Sequence, residues 1–332
     1  MPFESMNSHL LVEKAASAQK LTGQNTLSSS IPNRYRAYGL TIHSELLLPQ
    51  LVSDKETNRA DVTVRYGTVP RALARVTIAG VDWEISNEQL LLKIDGVATY
   101  WVNGPEEVWI ERFPNANDDD VRLFLLGSTL GFLLHLRHIL PLHASAICTD
   151  RGAVLFTGVS GSGKSTTLSA MVQRGYPMLA DDVSGIVLDE TGNPQVLSAF
   201  PASKLFADSV AKLDRSTEGL RKVKASLNKY LLPIDSFCAE TIPLYAVYVL
   251  DNRQGTEFKL QPIERNIDKL SYFLFNTYRS LYVKAIGWEQ KQFKLISRAI
   301  HHTKVIEVTR PDRGFLLDEL VKRLEEDFNS NG

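Results

Sequence analysis

The sequence has few cysteines, no long uninterrupted apolar run and almost no net charge. Its 332 residues include two cysteines, too few for a disulfide framework or a cysteine-based zinc cluster. The formal net charge of −1 gives no reason to expect a nucleic acid or an anionic membrane as a partner. What is present is 44% hydrophobic residues, enough to build a sizeable core.

The most apolar stretch, residues 123–140, is too short for a membrane span. His135, Arg137 and His138 interrupt it, whereas a helix needs about 20 apolar residues to cross a bilayer. We therefore expect a buried helix there. The first thirty residues lack a basic start followed by an apolar run, so no secretory signal is expected and the prediction is a cytoplasmic protein.

The chain divides into three predicted regions. Residues 1–33 are rich in Ser, Thr, Asn and Gln and indicate a flexible N-terminal tail. Residues 34–120 carry short alternating segments such as "ADVTVRYG" and "VWIERF", which predict a β-rich N-terminal domain. Residues 121–332 predict an α/β kinase domain with a helical C-terminal part. In that region we expect a hairpin at 183–200, a buried strand at 242–251 and helices at 266–287 and 315–328.

A glycine-rich motif that fits a phosphate-binding loop follows the strand-like run at 153–157. The pattern G-x-x-x-x-G-K-S is complete and leads into a helix-like segment. Glycines let backbone N–H groups converge on phosphate oxygens, and the helix N-terminus adds partial positive charge. The residues expected to bind the nucleotide are Gly158, Ser160, Gly161, Ser162, Gly163, Lys164, Ser165 and Thr166. Lys164 is expected at the β- and γ-phosphates and Ser165 at Mg²⁺, so ATP and Mg²⁺ are the expected cofactors.

Two adjacent aspartates, Asp181 and Asp182, follow the next apolar run. If the helical crossover between the two strands is right-handed, the strands are parallel and both acids emerge beside the loop. One acid can then hold the metal ion while the other accepts the proton of a hydroxyl acceptor. The spacing does not decide which acid does which. His143, ahead of the loop-bearing strand, is either a residue that orients the base or a core histidine.

At this point the sequence resembles the catalytic domain of HPr kinase/phosphorylase. The matching residues are His143, the run 158–166, Arg174-Gly175 and the two aspartates. The resemblance implies a P-loop kinase fold related to phosphoenolpyruvate carboxykinase, ATP-dependent phosphorylation of a serine, and a homo-oligomer. It also implies Asp181 as the general base, supported by His143, with Lys164 on the phosphates and Asp182 and Ser165 as metal ligands.

Looser cues are similar to a branch of HPr-kinase-like enzymes found with lasso-peptide biosynthesis. They are "YRAYGLTIHSELLLPQL", "FPASKLFADSVAKL" and "KYLLP…IPLYAVYVLD". In that branch the acceptor is a serine at the C-terminal end of a precursor peptide, so the resemblance implies a peptide substrate. The glycine-rich acidic stretch that the parent family places after the aspartates is replaced by "FPASKLFADSV", which gives no support to a phosphorylase half-reaction.

The leading prediction is a kinase acting on a serine of a peptide or small protein. The alternatives kept open are a small-metabolite kinase, an HPr-type protein kinase, and a nucleotide-binding switch or transport ATPase. The sequence has neither an N/T-K-x-D stretch for guanine nor an L-S-G-G-Q signature, which counts against the last. Basic residues are further candidates for stabilising charge or holding an acceptor carboxylate, although each fits a solvated helix equally well. They are Lys204, Lys212, Arg215, Arg221, Lys222, Lys224 and Lys229.

Overall fold

The computed structural model describes residues 33–56, 59–207, 210, 218–222, 228–250, 255–311 and 316–330. The predicted N-terminal tail lies outside the described residues, apart from Asn33. Among the predicted cations, Lys212, Arg215 and Lys224 also lie outside them, and the side chains of Arg221, Lys222 and Lys229 are not described.

The first part of the described chain forms a sheet of nine strands, as its alternating segments predict. The strands are β1 (Asn33–Ala37), β2 (Leu40–Ser44), β3 (Val52–Ser53), β4 (Val62–Tyr66), β5 (Ile78–Ala79), β6 (Trp83–Ser86), β7 (Gln89–Ile94), β8 (Ala98–Asn103) and β9 (Glu107–Arg112). Their order in the sheet is β3-β1-β2-β4-β9-β8-β7-β6-β5. Most neighbours are antiparallel, whereas β4 runs parallel to both β2 and β9.

A buried helical segment follows this sheet and confirms the prediction for the apolar stretch. It consists of α1 (Asp118–Phe124), a π-helical turn (Leu125–Thr129) and α2 (Leu130–Leu136). The Asn117 side chain caps the start by accepting from the Asp119 N–H, and three aspartates occupy the first turn, where negative charge is favourable. None of the described helices is both long enough and apolar enough to cross a membrane.

Twelve further strands lie in the described residues of the second part. They are β10 (Leu140–Leu142), β11 (Ala144–Thr149), β12 (Gly152–Thr157), β13 (Met178–Ala180), β14 (Ser184–Leu188), β15 (Pro194–Leu197), β16 (Ala202–Phe206), β17 (Arg221–Lys222), β18 (Lys229–Pro233), β19 (Ile242–Val249), β20 (Lys259–Pro262) and β21 (Lys304–Thr309). Strands β16, β18 and β17 form a small antiparallel sheet, and the other nine form a second large sheet. In that sheet β12 runs parallel to β19, and β19 runs parallel to β21.

Helices cover both faces of the second large sheet. They are α3 (Lys164–Gln173), α4 (Asn266–Phe275), α5 (Leu281–Ala285), α6 (Glu289–His302) and α7 (Leu317–Asn329). Strand β12 is buried along its whole length, as a strand covered on both faces must be. Phe156 clusters with Leu168 of α3 and Phe328 of α7, whereas its neighbour Leu155 belongs to the cluster that contains Ile296 of α6. The mixed α/β architecture is therefore confirmed.

The predicted helix over 266–287 is interrupted. Helix α4 ends at Phe275, residues 276–280 form a turn, and α5 begins at Leu281. The turn is held by distant parts of the chain, because the Asn276 carbonyl accepts from the His143 N–H and the Tyr278 N–H donates to the Pro141 carbonyl, both at 2.8 Å. The predicted hairpin, the strand at 242–251 and the C-terminal helix are present. The division of the chain at residue 120 stays a prediction.

Tyr38 connects the first large sheet to the second. It lies in the turn between β1 and β2, with a φ of 54°, and its side chain is buried. Its N–H donates to the Ser198 carbonyl at 2.7 Å, and its hydroxyl donates to the Val183 carbonyl at 2.9 Å. Because Val183 directly follows Asp182, the first sheet contacts the chain next to the predicted acids.

Candidate functional site

The glycine-rich loop lies between β12 and α3, in the strand–loop–helix context that the sequence predicts. Gly161 and Gly163 have φ values of 82° and 99°, a region that glycine adopts without steric cost. Gly163 is the residue at the N-terminal cap of α3. The loop therefore places its backbone N–H groups near the N-terminus of that helix, where anions are favoured.

Two cations hold this loop from inside the protein. The Lys164 ammonium donates to the carbonyls of Gly158 at 2.7 Å and Val159 at 3.0 Å. The Arg310 guanidinium, which follows β21, donates to the Ser162 carbonyl at 2.7 Å and also to the Leu250 carbonyl. Arg310 is not predictable from the sequence, because nothing in the local pattern around residue 310 indicates a contact with the loop.

Strand β11 lies between the strand that leads to the loop and the strand that leads to the acids. It is antiparallel to both β12 and β13, so those two strands run in the same direction, as the crossover predicts, without being neighbours. The loop after β12 and the acids after β13 therefore emerge at the same edge. His143 lies at the same edge, because it directly precedes β11, which runs antiparallel to both strands.

Asp181 is almost fully buried, at 6% exposure, and both of its carboxylate oxygens accept hydrogen bonds. Oδ1 accepts from the hydroxyls of Ser145 at 2.6 Å and Ser165 at 2.9 Å. Oδ2 accepts from the Ser203 hydroxyl at 2.7 Å and from the backbone N–H of Lys204 at 3.1 Å. A buried carboxylate requires this degree of satisfaction.

Asp182 lies closer to solvent, with a side chain 27% exposed. Its Oδ2 accepts from the Lys204 ammonium at 3.1 Å, and its Oδ1 lies 3.5 Å from Nδ1 of His143. That same Nδ1 is 2.8 Å from the backbone carbonyl of Asp182, and because a carbonyl oxygen only accepts, Nδ1 carries the hydrogen. The φ of Asp182 is 69°, a strained value of the kind that concentrates at functional sites.

Lys204 carries its positive charge inside this site. Burial disfavours the ammonium and by itself lowers the pKa of Lys204, but the Asp182 carboxylate beside it outweighs burial and raises the pKa above its ordinary value. The side chain is therefore charged at neutral pH. From the sequence, Lys204 is one of several candidate cations, with no predicted contact to either acid.

A cavity of about 190 Å³ lies between the loop and Asp182. It is lined by Lys204 and Leu205 together with eight of the predicted site residues: His143, Ser160, Gly161, Gly163, Lys164, Ser165, Thr166 and Asp182. Three other predicted residues, Gly158, Ser162 and Asp181, do not line it. The structure thus brings most of the predicted site together around one space.

The oxygens of Ser165 and Asp181 fit a magnesium ion. Mg²⁺ prefers hard oxygen ligands and is commonly held by one or two protein groups together with substrate phosphates. The described residues contain no group of three or more His, Cys, Asp or Glu side chains arranged for a metal. The donor set therefore suits a metal shared with a nucleotide better than a cage built by the protein alone.

Sequence reasoning missed two serines that contact the buried acid. Ser145 had a local signal, because it lies two residues after His143 in a strand-like run and such residues share a face. Ser203 had no local signal, since it lies on β16, and the pairing of β16 in the small sheet places it beside Asp181. These two hydroxyls fix the carboxylate between β11 and β16.

Comparison with known proteins gives a distant structural likeness. No protein-family model matches the chain, and no curated protein matches it. Among solved structures, the chain is similar to the Hpr(Ser) kinase/phosphatase from Coxiella burnetii, with 15% sequence identity and a TM-score of 0.30. The similarity covers 57% of this chain and 89% of that one.

Proposed function

We propose that this chain is an ATP- and Mg²⁺-dependent kinase that transfers the γ-phosphoryl group to a serine hydroxyl of a peptide. The observation that carries the proposal is the hydrogen bond of 2.9 Å from the Ser165 hydroxyl to Asp181 Oδ1. It brings the serine of the loop motif and a buried acid together at the start of α3. Such a pair is how phosphate-loop enzymes hold the metal on their nucleotide. Together with the sequence resemblance, it supports a P-loop kinase domain of HPr kinase-like type.

The loop defines the side of the cavity on which the nucleotide would bind. Its N–H groups and the N-terminus of α3 would bind the phosphates. The Lys164 ammonium would exchange the carbonyls of Gly158 and Val159 for β- and γ-phosphate oxygens. Mg²⁺, when bound, neutralises charge on these phosphates, and Ser165 and Asp181 would be its protein ligands.

The contacts of the two acids support an assignment opposite to that favoured from the sequence. Oδ1 of Asp181 lies beside the serine expected to hold the metal, since it accepts from the Ser165 hydroxyl at 2.9 Å, and it would exchange that hydrogen bond for the metal. Asp182 lines the cavity and is positioned by His143 and Lys204, which suits a general base. We therefore propose Asp182 as the base and Asp181 as the metal ligand. The reverse, with Asp181 as base, stays a prediction that the variants in the Discussion can restore.

The chemical step would use this chain's residues as follows. The serine oxygen of the acceptor forms a bond to the γ-phosphorus, the bond from that phosphorus to the β–γ bridging oxygen breaks, and ADP leaves. The hydroxyl proton passes to the Asp182 carboxylate. Lys204, which lines the same cavity, would stabilise the charge on the transferred group, and His143 would hold the Asp182 backbone in its strained conformation.

The test is an intact-mass assay of phosphoryl transfer. The purified chain is incubated with ATP, Mg²⁺ and a panel of lasso-peptide precursors that end in serine, HPr, and a buffer blank. We expect one phosphoryl group on a precursor, lost when its terminal serine is changed to alanine. Lys164→Ala should abolish transfer, whereas Lys93→Ala, a control lysine in the first sheet, should not.

The other outcomes of this assay identify the alternatives. Phosphate on HPr would assign the chain an HPr-type kinase activity. ATP hydrolysis that modifies no protein or peptide would favour the small-metabolite kinase or the nucleotide-binding switch. Transfer that persists in Lys164→Ala would contradict the proposed nucleotide site.

A further inference from the structure

The turn 276–280 borders the proposed base outside the nucleotide cavity. The His143 N–H donates to the Asn276 carbonyl at 2.8 Å, and the centres of the His143 and Tyr278 rings are 6.2 Å apart. Neither Tyr278 nor Arg279 lines the cavity between the loop and Asp182. The turn is therefore placed to meet a molecule that approaches the base from outside that cavity.

Packing fixes the conformation of this turn. Besides the Tyr278 N–H bond to Pro141, the Tyr278 carbonyl accepts from His135 Nε2 at 2.8 Å. The Tyr278 ring lies against Gly131, where an added Cβ would be 2.7 Å from ring atom Cε1. A turn held at its backbone and by its ring presents the following residue in one position.

That following residue, Arg279, is exposed and strained. Its φ is 52°, and such values in non-glycine residues persist only where the surroundings impose them and are concentrated at ligand-binding positions. Its guanidinium is oriented by a hydrogen bond of 2.9 Å to the Ser128 hydroxyl. Within the described part of the chain, Arg279 forms no ion pair with a carboxylate. A guanidinium oriented in this way, on a residue that is exposed to solvent, is suited to a carboxylate from another molecule.

Exposed apolar side chains lie close to this arginine in the chain. Leu274, Phe275 and Leu281 are 39%, 71% and 58% exposed. Among the described residues, eleven large apolar side chains are exposed, and three of these fall within the eight positions 274–281. Such a local concentration marks a surface that contacts another molecule.

The net charge of residues 264–302 indicates which kind of partner suits this part of the chain. Residues 264–302 contain seven Lys and Arg against three Asp and Glu, a net charge of +4, in a chain whose net charge is −1. A segment with this excess of positive charge and with exposed apolar side chains favours an acidic partner that also carries apolar residues.

We infer that the turn 276–280 and its apolar neighbours are the surface that recognises the acceptor peptide. Arg279 binds a carboxylate of that peptide, and Leu274, Phe275 and Leu281 contact an apolar side chain close to the acceptor serine. The inference rests on the proposed kinase function and adds the substrate class: an acidic, partly apolar peptide segment.

The test compares three series of synthetic peptides with one serine and one leucine each. The first has an amidated terminus and an aspartate near the serine, the second has a free terminal carboxylate and no acidic side chain, and the third has an amide terminus and asparagine. We expect the wild-type chain to phosphorylate the first or second series with a kcat/KM at least about tenfold above the third, as one charge-assisted hydrogen bond gives. The series that benefits identifies the source of the carboxylate.

The decisive variant is Arg279→Gly, because glycine tolerates the positive φ and removes only the side chain. It should lower kcat/KM for the favoured series to the value of the third, whereas the control Arg71→Gly, at an exposed arginine in the loop between β4 and β5, should not. Phe275→Ser should raise KM for leucine-containing peptides, and Phe113→Ser, an exposed control, should not. Thermal unfolding checks that each variant is folded.

Four outcomes would overturn the inference. Equal rates on all three series, or discrimination that survives in Arg279→Gly, would reject acceptor recognition by this turn while leaving the kinase function intact. Weaker binding of a fluorescent ATP analogue by Arg279→Gly would assign the arginine to the nucleotide instead. Nucleotide binding without phosphorylation of any peptide would reject the peptide kinase function itself, and the inference with it.

Discussion

The Ser165 hydroxyl donates a hydrogen bond of 2.9 Å to Asp181 Oδ1. The strands that lead to these two residues, β12 and β13, are separated in the second sheet by β11. Ser165 belongs to the first turn of α3, Asp181 follows β13, and β11 runs between the strands that lead to them. The same carboxylate accepts from Ser145 on β11 and Ser203 on β16. One buried acid therefore connects four elements, while its neighbour Asp182 lies at the cavity.

Exchanging each acid for its amide should separate their roles. Asp182→Asn should lower kcat at least about 100-fold, the contribution of a positioned base, with little change in Mg²⁺-dependent ATP affinity. Asp181→Asn should instead lose the Mg²⁺-dependent part of that affinity. The measurements are fluorescent-nucleotide titrations with and without Mg²⁺, together with phosphoryl transfer. Normal metal-dependent binding without transfer in Asp181→Asn, and weak binding in Asp182→Asn, would restore Asp181 as the base.

Removing the charge of Lys204 should affect the rate more than nucleotide binding. Lys204→Met is expected to lower kcat about 10²–10³-fold if the ammonium stabilises the transferred group, and Lys204→Arg should recover part of the loss. Steady-state kinetics that separate kcat from the KM for ATP provide the measurement. Lys93→Met, which removes an ion pair of 3.0 Å with Glu84 in the first sheet, is the control. A raised KM with an unchanged kcat would show that Lys204 serves binding alone.

Two glycines of the buried helical segment should respond differently to alanine. At Gly131 an added Cβ would lie 2.7 Å from Tyr278, whereas at Gly127 the nearest atom is the Tyr278 hydroxyl at 3.7 Å. Gly131→Ala should therefore destabilise the fold by about 1–3 kcal/mol through overpacking. Gly127→Ala should be neutral or stabilise it by up to about 1 kcal/mol. Urea unfolding measures both, and equal effects would mean that the Tyr278 ring moves aside freely.

His135 should make stability fall below neutral pH. Burial lowers the pKa of His135 to about 4, although the hydrogen bond to the Tyr278 carbonyl opposes the shift. Between pH 6.5 and 4 the unfolded chain therefore binds a proton that the folded chain does not. The histidine costs nothing above pH 6.5, and its cost grows as pH falls, to about 3 kcal/mol near pH 4.

Urea unfolding over this pH range tests the effect of His135. His135→Gln should flatten the pH dependence of the free energy of unfolding between pH 4 and 6.5, because glutamine does not titrate. His302→Gln, an exposed histidine at the end of α6, should leave that dependence unchanged. An unchanged slope in His135→Gln would assign the acid sensitivity to other groups.

The loop, α3 and the position of the acids were predictable because each depends on neighbouring residues. The motif fixes Gly158 to Ser165 in a strand–loop–helix, and the apolar run at 178–180 places Asp181 and Asp182 at a strand end. The direction of the crossover follows from general strand connectivity. The insertion of β11 between the two strands does not follow from strand connectivity. It depends on pairing with β12 before helix α3 and with β13 after it.

The hydrogen-bond partners of the acids could not be predicted from the sequence, because they come from distant parts of the chain. Ser203 and Lys204 meet Asp181 and Asp182 only because β16 pairs with β18 in a separate small sheet. The interruption of the helix at 276–280 likewise comes from contacts with Pro141 and His143, which the local spacing of apolar residues does not contain.

The bond from the Tyr38 hydroxyl to the Val183 carbonyl bears on how the two parts of this chain can be exchanged between proteins. If the second part were transplanted without the first sheet, two carbonyls would lose the donors that Tyr38 supplies: that of Val183, one residue beyond Asp182, and that of Ser198. The hairpin turn that carries Tyr38 must therefore be transplanted together with the acids. In a chimera, keeping this turn would preserve both hydrogen bonds beside the acids.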